Sequence, residues 1–311
     1  MNTEPKWSVT VADIRGIADD VVELTLVGAD GQIPKWESGA HIDLILGPDM
    51  VRQYSLCGDP DDRNTLTIAV LREQVSRGGS AYVHEHLSAG DTLRIRGPRN
   101  NFPLHDAERY RFIAGGIGIT PLLPMIRTVA RRGAAWTLHY GGRTRGSMAY
   151  LPELSALGDL RVHTEDETGR MNLDTILAPD PGTLVYCCGP ESLLSTVEER
   201  CATTWPAGAL HVERFAPKPV AHAAADSEFE VECAQSGVTV LVPAGISILE
   251  AVEQAGISAL SSCREGTCGT CETVVLDGLP DHRDSLLDAK DTDLMMICRS
   301  RARTPRLVLD L

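Results

Sequence analysis

Residues 261–271 read SSCREGTCGTC, and together with Cys298 they decide how the chain is to be read. Cys263, Cys268 and Cys271 follow the pattern C-x4-C-x2-C, and the fourth cysteine comes after 26 intervening residues. This is the plant-type spacing of a [2Fe–2S] centre. Three thiolates must converge on one small rhombic group from a single loop. Gly266 and Gly269 let the backbone curl, and the small Ser262, Thr267 and Thr270 leave amide N–H groups free to point at sulfur. The alternative is a structural zinc site. Zinc knuckles usually pair C-x2-C with C-x2-C, whereas here the first spacing is longer and the last cysteine stands alone. The spacing therefore favours the iron–sulfur reading. Cys57, Cys201 and Cys233 lie outside the pattern and read as small buried hydrophobes.

Around this loop, residues 228–311 are expected to form a small α+β unit. It has strands at 228–234, 238–242, 272–276 and 306–310 and a helix at 247–255. Before it, PKPVAHAAADS at 217–227 has no period and reads as a linker. Residues 104–216 alternate strands and helices, the signature of a parallel α/β sheet: strands 110–114, 136–140, 160–164, 183–188 and 210–215, with helices after 118 and at 191–203. Residues 1–103 instead carry short alternating runs (VVELTLV at 21–27, HIDLIL at 41–46, TLTIAVLR at 65–72, TLRIR at 92–96) between Gly-, Pro- and Asp-rich turns. That pattern predicts an antiparallel β-barrel or sandwich. The fold class is thus multidomain: an antiparallel β-barrel or sandwich, a parallel α/β domain and a small α+β domain.

Two turns in the middle region carry a nucleotide signal. YRFIAGGIGITP at 110–121 runs a strand into Gly115, Gly116 and Gly118, and LVYCCGP at 184–190 does the same before the next helix. Amides at a helix start favour phosphate. The third glycine of the dinucleotide fingerprint is replaced by Thr120–Pro121, so the first turn alone is weak evidence. Paired at the carboxyl ends of parallel strands, the two turns lie where open α/β sheets bind nucleotides. In the first region, RQYSL at 52–56 places Arg52 and Tyr54 on one face of a strand and Ser55 on the other, able to address a flat ligand. RGGS at 77–80 precedes a helix at about 80–87, a second phosphate-ready start.

The formal net charge of −14 argues against nucleic acid as a partner. No basic-then-apolar leader and no run of about 18 apolar residues occurs, so a cytoplasmic chain free of membrane spans is expected. HRD at 282–284 lacks the asparagine of a kinase catalytic loop and is expected to be an exposed loop. The histidines show no ligand spacing beyond His84-x-His86, which falls in an expected helix where residues two apart do not share a face, and the sequence carries no Ser-His-Asp arrangement with a nucleophile elbow.

RQYSL, GGIGITP, CCGP and CREGTCGTC, in this order and over essentially the whole chain, resemble the phthalate dioxygenase reductase and vanillate O-demethylase reductase family. The resemblance implies an FMN barrel, an NAD domain and a C-terminal [2Fe–2S] ferredoxin. It implies that Arg52, Tyr54 and Ser55 contact FMN, that Ala69, Val70, Leu71 and Arg72 line its edge, and that Gly78, Gly79 and Ser80 hold its phosphate. Gly116, Gly118, Ile119 and Thr120 would lie near flavin and nicotinamide. Cys188, Gly189 and Pro190 would shape the nicotinamide pocket, and Phe215 would lie close to the flavin. Cys263, Cys268, Cys271 and Cys298 would hold the cluster. Arg143 and Arg145 follow strand 136–140 and could reach a 2′-phosphate. Glu165 and Asp166 follow the next strand and could favour a free ribose hydroxyl, which tilts the reading to NADH over NADPH.

The implied activity is an NAD(P)H-dependent flavin iron–sulfur oxidoreductase. It would be the reductase component of a two-component Rieske-type oxygenase, either an aromatic dioxygenase or a vanillate-type O-demethylase, and would act as a monomer. Hydride passes to flavin and single electrons then pass outward, so no side chain need act as a general acid or base. From residue 227 onward there are 14 acidic and 7 basic residues, which reads either as a solvated surface or as a docking face for a basic patch. The alternatives are a reductase for a cytochrome P450 or other monooxygenase, and a non-enzymatic redox sensor.

Overall fold

The structure, a computed structural model, describes residues 6–47, 50–75, 77–218 and 227–311. Of the linker expected at 217–227, residues 219–226 lie outside the described residues. The described chain divides into two compact units, one ending at Glu213 and the other beginning at Arg214. No described helix is long and apolar enough to cross a membrane.

The first unit opens with six antiparallel strands, β1 (Lys6–Ala18), β2 (Val21–Gly28), β3 (His41–Gly47), β4 (Met50–Ser55), β5 (Thr65–Leu71) and β6 (Thr92–Arg99). Their order is β4-β3-β6-β1-β2-β5, and a bridge from Leu56 to Ile68 joins the two edges. Alternation drives the closure, because Leu24, Leu26, Ile42, Leu44, Leu66, Ile68 and Ile95 all point inward and are fully buried. The sequence reading assigns no strand to residues 6–18. β1 forms there with register shifts at Val11/Asp13 and Gly16/Ala18, which break the two-residue period that would have revealed it. Helix α1 (Gly79–His86) sets Val83 into the same core.

The second part of this unit runs β7 (Arg109–Gly115), α2 (Ile119–Arg131), β8 (Ala135–Gly142), α3 (Leu151–Leu157), β9 (Leu160–Thr164), α4 (Leu173–Ile176), β10 (Thr183–Cys188), α5 (Glu191–Thr204) and β11 (Leu210–Glu213). The strands form a parallel sheet in the order β11-β10-β7-β8-β9. Phe112, Leu138 and Tyr140 pack on the α2 side, and Ile113, Val185 and Cys187 pack on the α5 side. The α2-side core also takes in Val21, Cys57, Ala69 and Phe102 from the barrel half, so barrel and sheet share apolar contacts. Polar groups fasten the same seam. The Tyr150 hydroxyl donates to Glu23 Oε2 at 2.8 Å, and Arg127 Nη1 donates to the carbonyls of Cys57 and Gly58 at 2.6 Å.

The second unit contains β12 (Phe229–Cys233), β13 (Val238–Val242), α6 (Ile248–Gln254), β14 (Glu272–Asp277), β15 (Pro280–Asp281), β16 (Leu294–Met296), β17 (Arg301–Ala302) and β18 (Arg306–Leu309). The main sheet is ordered β13-β12-β18-β14-β16, with β18 parallel to β12 and antiparallel to β14. Helix α6 covers it with Ile248, Leu249 and Val252. A reciprocal Ser247–Glu250 capping box starts the helix.

Candidate functional site

Cys263, Cys268, Cys271 and Cys298 are all buried in the second unit. Cys263 interacts with the thiols of Cys268 and Cys298, and Cys298 also interacts with Cys271. The contacts therefore run 268–263–298–271, as two linked pairs. Among the described residues, no three His, Cys, Asp or Glu side chains close on one point as a lone ion requires. Hydrogen bonds from Cys268 and Cys298 hold the Cys263 thiol well below its ordinary range, and Thr267 adds to the effect. The loop's amides and hydroxyls also turn toward sulfur: Glu265 N donates to Cys263 Sγ at 3.3 Å, and Thr270 Oγ1 lies 3.2 Å from Cys268 Sγ. This donor set, soft thiols in pairs with hydrogen bonds to sulfur, fits a two-iron group.

The segment at 282–284 corrects the sequence expectation, because it is not an exposed loop. Asp284 is buried; it accepts from Leu286 N at 2.9 Å, Leu287 N at 2.8 Å and Ser300 Oγ at 2.7 Å. It also backs the cysteine loop: a Cβ on Gly266, whose φ is +72°, would lie 2.7 Å from Asp284 Cβ. A buried carboxylate needs such donors, and satisfying them pulls the segment inward. Asp284 therefore braces the loop that presents the thiols.

In the first unit, Arg52 on β4 lies across the start of α1. Its Nη2 donates to the Arg77 carbonyl, and a Cβ on Gly79 would meet its Cγ at 2.5 Å. Gly78 has φ +82° with open space where a Cβ would sit. The structure thus brings together the RQYSL strand and the RGGS turn, leaving a cradle beside a guanidinium. Ser80 is tied back through its Oγ, which accepts from Glu73 N at 3.2 Å. Burial pushes the Tyr54 phenol up to about 12. The side chains of Ala69 and Val70 lie in the apolar cores, so only their backbone is available to a ligand. Arg72 pairs with Glu85.

The two glycine turns lie side by side, as the sequence predicts. β7 and β10 are parallel neighbours with Ala114 opposite Cys188. The glycines are also where the two turns touch. A Cβ on Gly118 would lie 2.3 Å from the Cys188 carbonyl oxygen, and one on Gly115 would lie 2.6 Å from Pro190 Cδ. A Cβ on Gly189 would lie 3.0 Å from Gly115 Cα. These glycines let the turns interlock, and Gly116, at φ +53° with open space beside it, is the one facing free volume. Thr120 Oγ1 donates to the Ile117 carbonyl at 3.0 Å beside the start of α2, at Ile119.

Glu213, at the end of β11, carried no sequence signal. It sits opposite Cys188 in the β10–β11 register, and Ser55 Oγ donates to its Oε2 at 3.4 Å. Part of the residue's surface reaches solvent, but its carboxyl is enclosed, and that burial raises it from 4.5 to about 8. Burial, and then the carboxylate of Glu213, raise the Cys188 thiol as well. Ser55, Cys188 and Glu213 thus form one hydroxyl–thiol–carboxyl cluster where barrel and sheet meet. Farther along, Arg145 pairs with Glu167 at 3.0 Å, whereas Arg143 and Asp166 are exposed at the ends of adjacent strands, with Asp166 N donating to the Arg143 carbonyl at 3.3 Å. Phe215 is exposed in the second unit.

Comparison with known proteins agrees with both halves of this geometry. Residues 112–199 match the oxidoreductase NAD-binding domain, and residues 231–303 match the 2Fe-2S iron-sulfur cluster binding domain. The chain is an NAD-dependent iron–sulfur oxidoreductase whose fold implies a flavin. It is 42% identical to the phenoxybenzoate dioxygenase subunit beta of Ectopseudomonas oleovorans, covering 94% of each chain. It is 39% identical to the vanillate O-demethylase oxidoreductase of Pseudomonas sp. (strain HR199 / DSM 7063), covering 97% of this chain and 99% of that one. Among solved structures, phthalate dioxygenase reductase superposes with a TM-score of 0.72 at 35% identity over 98% of both chains. An intact type IV self-sufficient cytochrome P450 monooxygenase superposes with a TM-score of 0.91 at 45% identity, over 98% of this chain but only 41% of the longer one. The chain belongs to the phthalate dioxygenase reductase and vanillate O-demethylase reductase family.

Proposed function

We propose that this protein carries reducing equivalents from NADH through FMN and a [2Fe–2S] cluster to a separate Rieske-type oxygenase. The observation that carries the reading is the presence, in one chain, of paired buried thiols, an arginine-flanked cradle and interlocked nucleotide turns. Bound flavin takes two electrons together and releases them one at a time, which nicotinamide and iron–sulfur chemistry each need. Arg52 and the 77–80 turn would grip one phosphate, which favours FMN over a dinucleotide flavin. Gly116, Gly118, Ile119 and Thr120, with Cys188, Gly189 and Pro190, would wall the slot in which nicotinamide meets the flavin ring. Ser55 and a protonated Glu213 keep a neutral, hydrogen-bonded edge on that slot at pH 7, so hydride is not opposed by a fixed negative charge. Cys263, Cys268, Cys271 and Cys298 would hold the irons, and Asp284 holds their loop. Asp166 beside Arg143 supports a ribose hydroxyl pair, and so NADH. We take 1–103, 104–216 and 228–311 as the flavin, nucleotide and ferredoxin domains, joined at 217–227.

The relatives named for a dioxygenase and an O-demethylase support a Rieske partner. A second reading, service to a cytochrome P450, is favoured by the closer superposition on the self-sufficient monooxygenase. Anaerobic titration with NADH should bleach flavin and iron–sulfur absorption together, and heat extraction should release FMN. Reconstitution with a Rieske oxygenase and with a P450 separates the two partners. A colourless protein, or one holding zinc, would refute the scheme.

A further inference from the structure

The net charge of the second unit and the charge beside its thiols have opposite signs. Of the seven basic residues from 227 onward, four line one pocket of about 370 Å3: Arg264, Arg283, Arg299 and Arg301. Cys298 forms part of its wall, and the single carboxylate in the lining is Glu250. That carboxylate is committed to the capping box, accepting from Ser247 N at 3.0 Å and Ser247 Oγ at 2.9 Å.

The four arginines are held differently. Arg301 is buried; its Nη2 donates to the carbonyls of Ser227 and Pro243 at 3.1 Å, and its guanidinium lies over the Phe229 ring at 5.0 Å. It is a fixed source of positive potential. Arg283 pairs with Asp281 at 2.7 Å, and Arg264 pairs with Glu253 at 2.6 Å. The Arg264 pair is half exposed and contributes little to holding the side chain in place. Arg299 is exposed and has no ion-pair partner among the described residues. Arg264 directly follows Cys263, and Arg299 directly follows Cys298, so the two most available guanidinium groups adjoin the two inner cysteines of the 268–263–298–271 run.

We infer that this pocket is the docking point for an acidic surface of the electron-accepting protein, whose carboxylates seat among Arg264, Arg283 and Arg299 against Cys298. The inference rests on the proposed function, in that electrons leave through the cluster to a separate protein. Docking here shortens the path out, because the pocket wall is itself one of the four cysteines. The acidic remainder of the unit then repels wrongly oriented encounters with an acidic partner, so the basic pocket sets orientation as well as attraction.

The test uses the intact holoenzyme at low ionic strength with three acceptors: cytochrome b5 as an acidic protein, cytochrome c as a basic one, and dichlorophenolindophenol as a small dye. Arg299→Glu should slow NADH-driven reduction of cytochrome b5 by about fivefold or more, the scale of one lost charge contact. It should not slow cytochrome c, and it should leave dye reduction and the iron–sulfur spectrum unchanged. Arg299→Lys should keep most of the cytochrome b5 rate. In the wild type, added salt should erase the difference between the two cytochromes. Equal effects on both cytochromes, or none on either, would overturn the inference. So would inhibition of cytochrome b5 reduction by millimolar inorganic phosphate at constant ionic strength, which would make the pocket a small-ion site. If Arg299→Glu loses its cluster absorption, Arg264→Glu provides the same comparison. A wild-type enzyme that reduces the dye but neither cytochrome would count instead against electron exit through the cluster.

Discussion

Replacing Glu213 by glutamine should change stability in a way that depends on pH, and the enclosed carboxyl sets the size. Folding raises this group from 4.5 to about 8 by burial, opposed only by the Ser55 hydroxyl. Below pH 4.5 both the folded and unfolded chains carry the proton, and the residue adds no penalty. As pH rises toward 8, the unfolded chain ionises while the folded one holds its proton, so stability is lost and the loss levels off above about 8. At about 1.4 kcal/mol per pH unit, the full penalty is about 5 kcal/mol above pH 8 and under about 1 kcal/mol at pH 5. Glutamine keeps the shape and the hydrogen bond with Ser55 but never ionises. Urea denaturation of wild type and Glu213→Gln at pH 5, 7 and 9 should therefore show near-equal stability at pH 5 and a growing advantage for the variant, several kcal/mol by pH 9. A difference that is flat across this range, or a wild-type advantage at pH 9, would show that Glu213 ionises freely and would remove the neutral edge proposed for the nicotinamide slot.

Cys268→Ser should abolish the iron–sulfur absorption and protein-acceptor reduction while NADH still reduces a small dye, read by visible spectrum and steady-state assay. Gly118→Ala places a Cβ 2.3 Å from the Cys188 carbonyl oxygen, so it should destabilise by about 1–3 kcal/mol and weaken NADH binding, seen in denaturation and in the KM for NADH. Tyr150→Phe removes the donor to buried Glu23 and should cost about 1–3 kcal/mol in urea denaturation. An Arg52→Ala variant should bind FMN at least about tenfold more weakly, because a charge-assisted contact is worth about 1.5–3 kcal/mol; equilibrium dialysis with flavin fluorescence measures it.

Most of the architecture was readable because periodicity and spacing are local properties. The alternating run of β2, the strand–turn–helix units at 110–131 and 183–204, and the C-x4-C-x2-C loop each announce themselves within a dozen residues. What stayed hidden depends on contacts between distant segments. Glu213 reads as one more acidic residue until β10 and the barrel enclose its carboxyl. Asp284 looks like part of a solvated HRD loop until Gly266 and Ser300 close on it. Gly115 and Gly118 suggest phosphate on composition alone, and their close packing on the neighbouring turn has no local mark. β1 was missed because two bulges interrupt its alternation. Tyr150, held at φ +64° before α3, has no sequence mark at all, although it fastens barrel to sheet.

The position of β18 has a consequence for biosynthesis. Residues 306–309 lie at the middle of their sheet, hydrogen-bonded to β12 on one side and β14 on the other. Until the ribosome has delivered them, the earlier strands have no partner to share, and the platform under the thiols is unfinished. Iron and sulfide are then expected to enter after β18 has paired with β12 and β14, so the metal is received by a formed sheet rather than used as a nucleus for folding it.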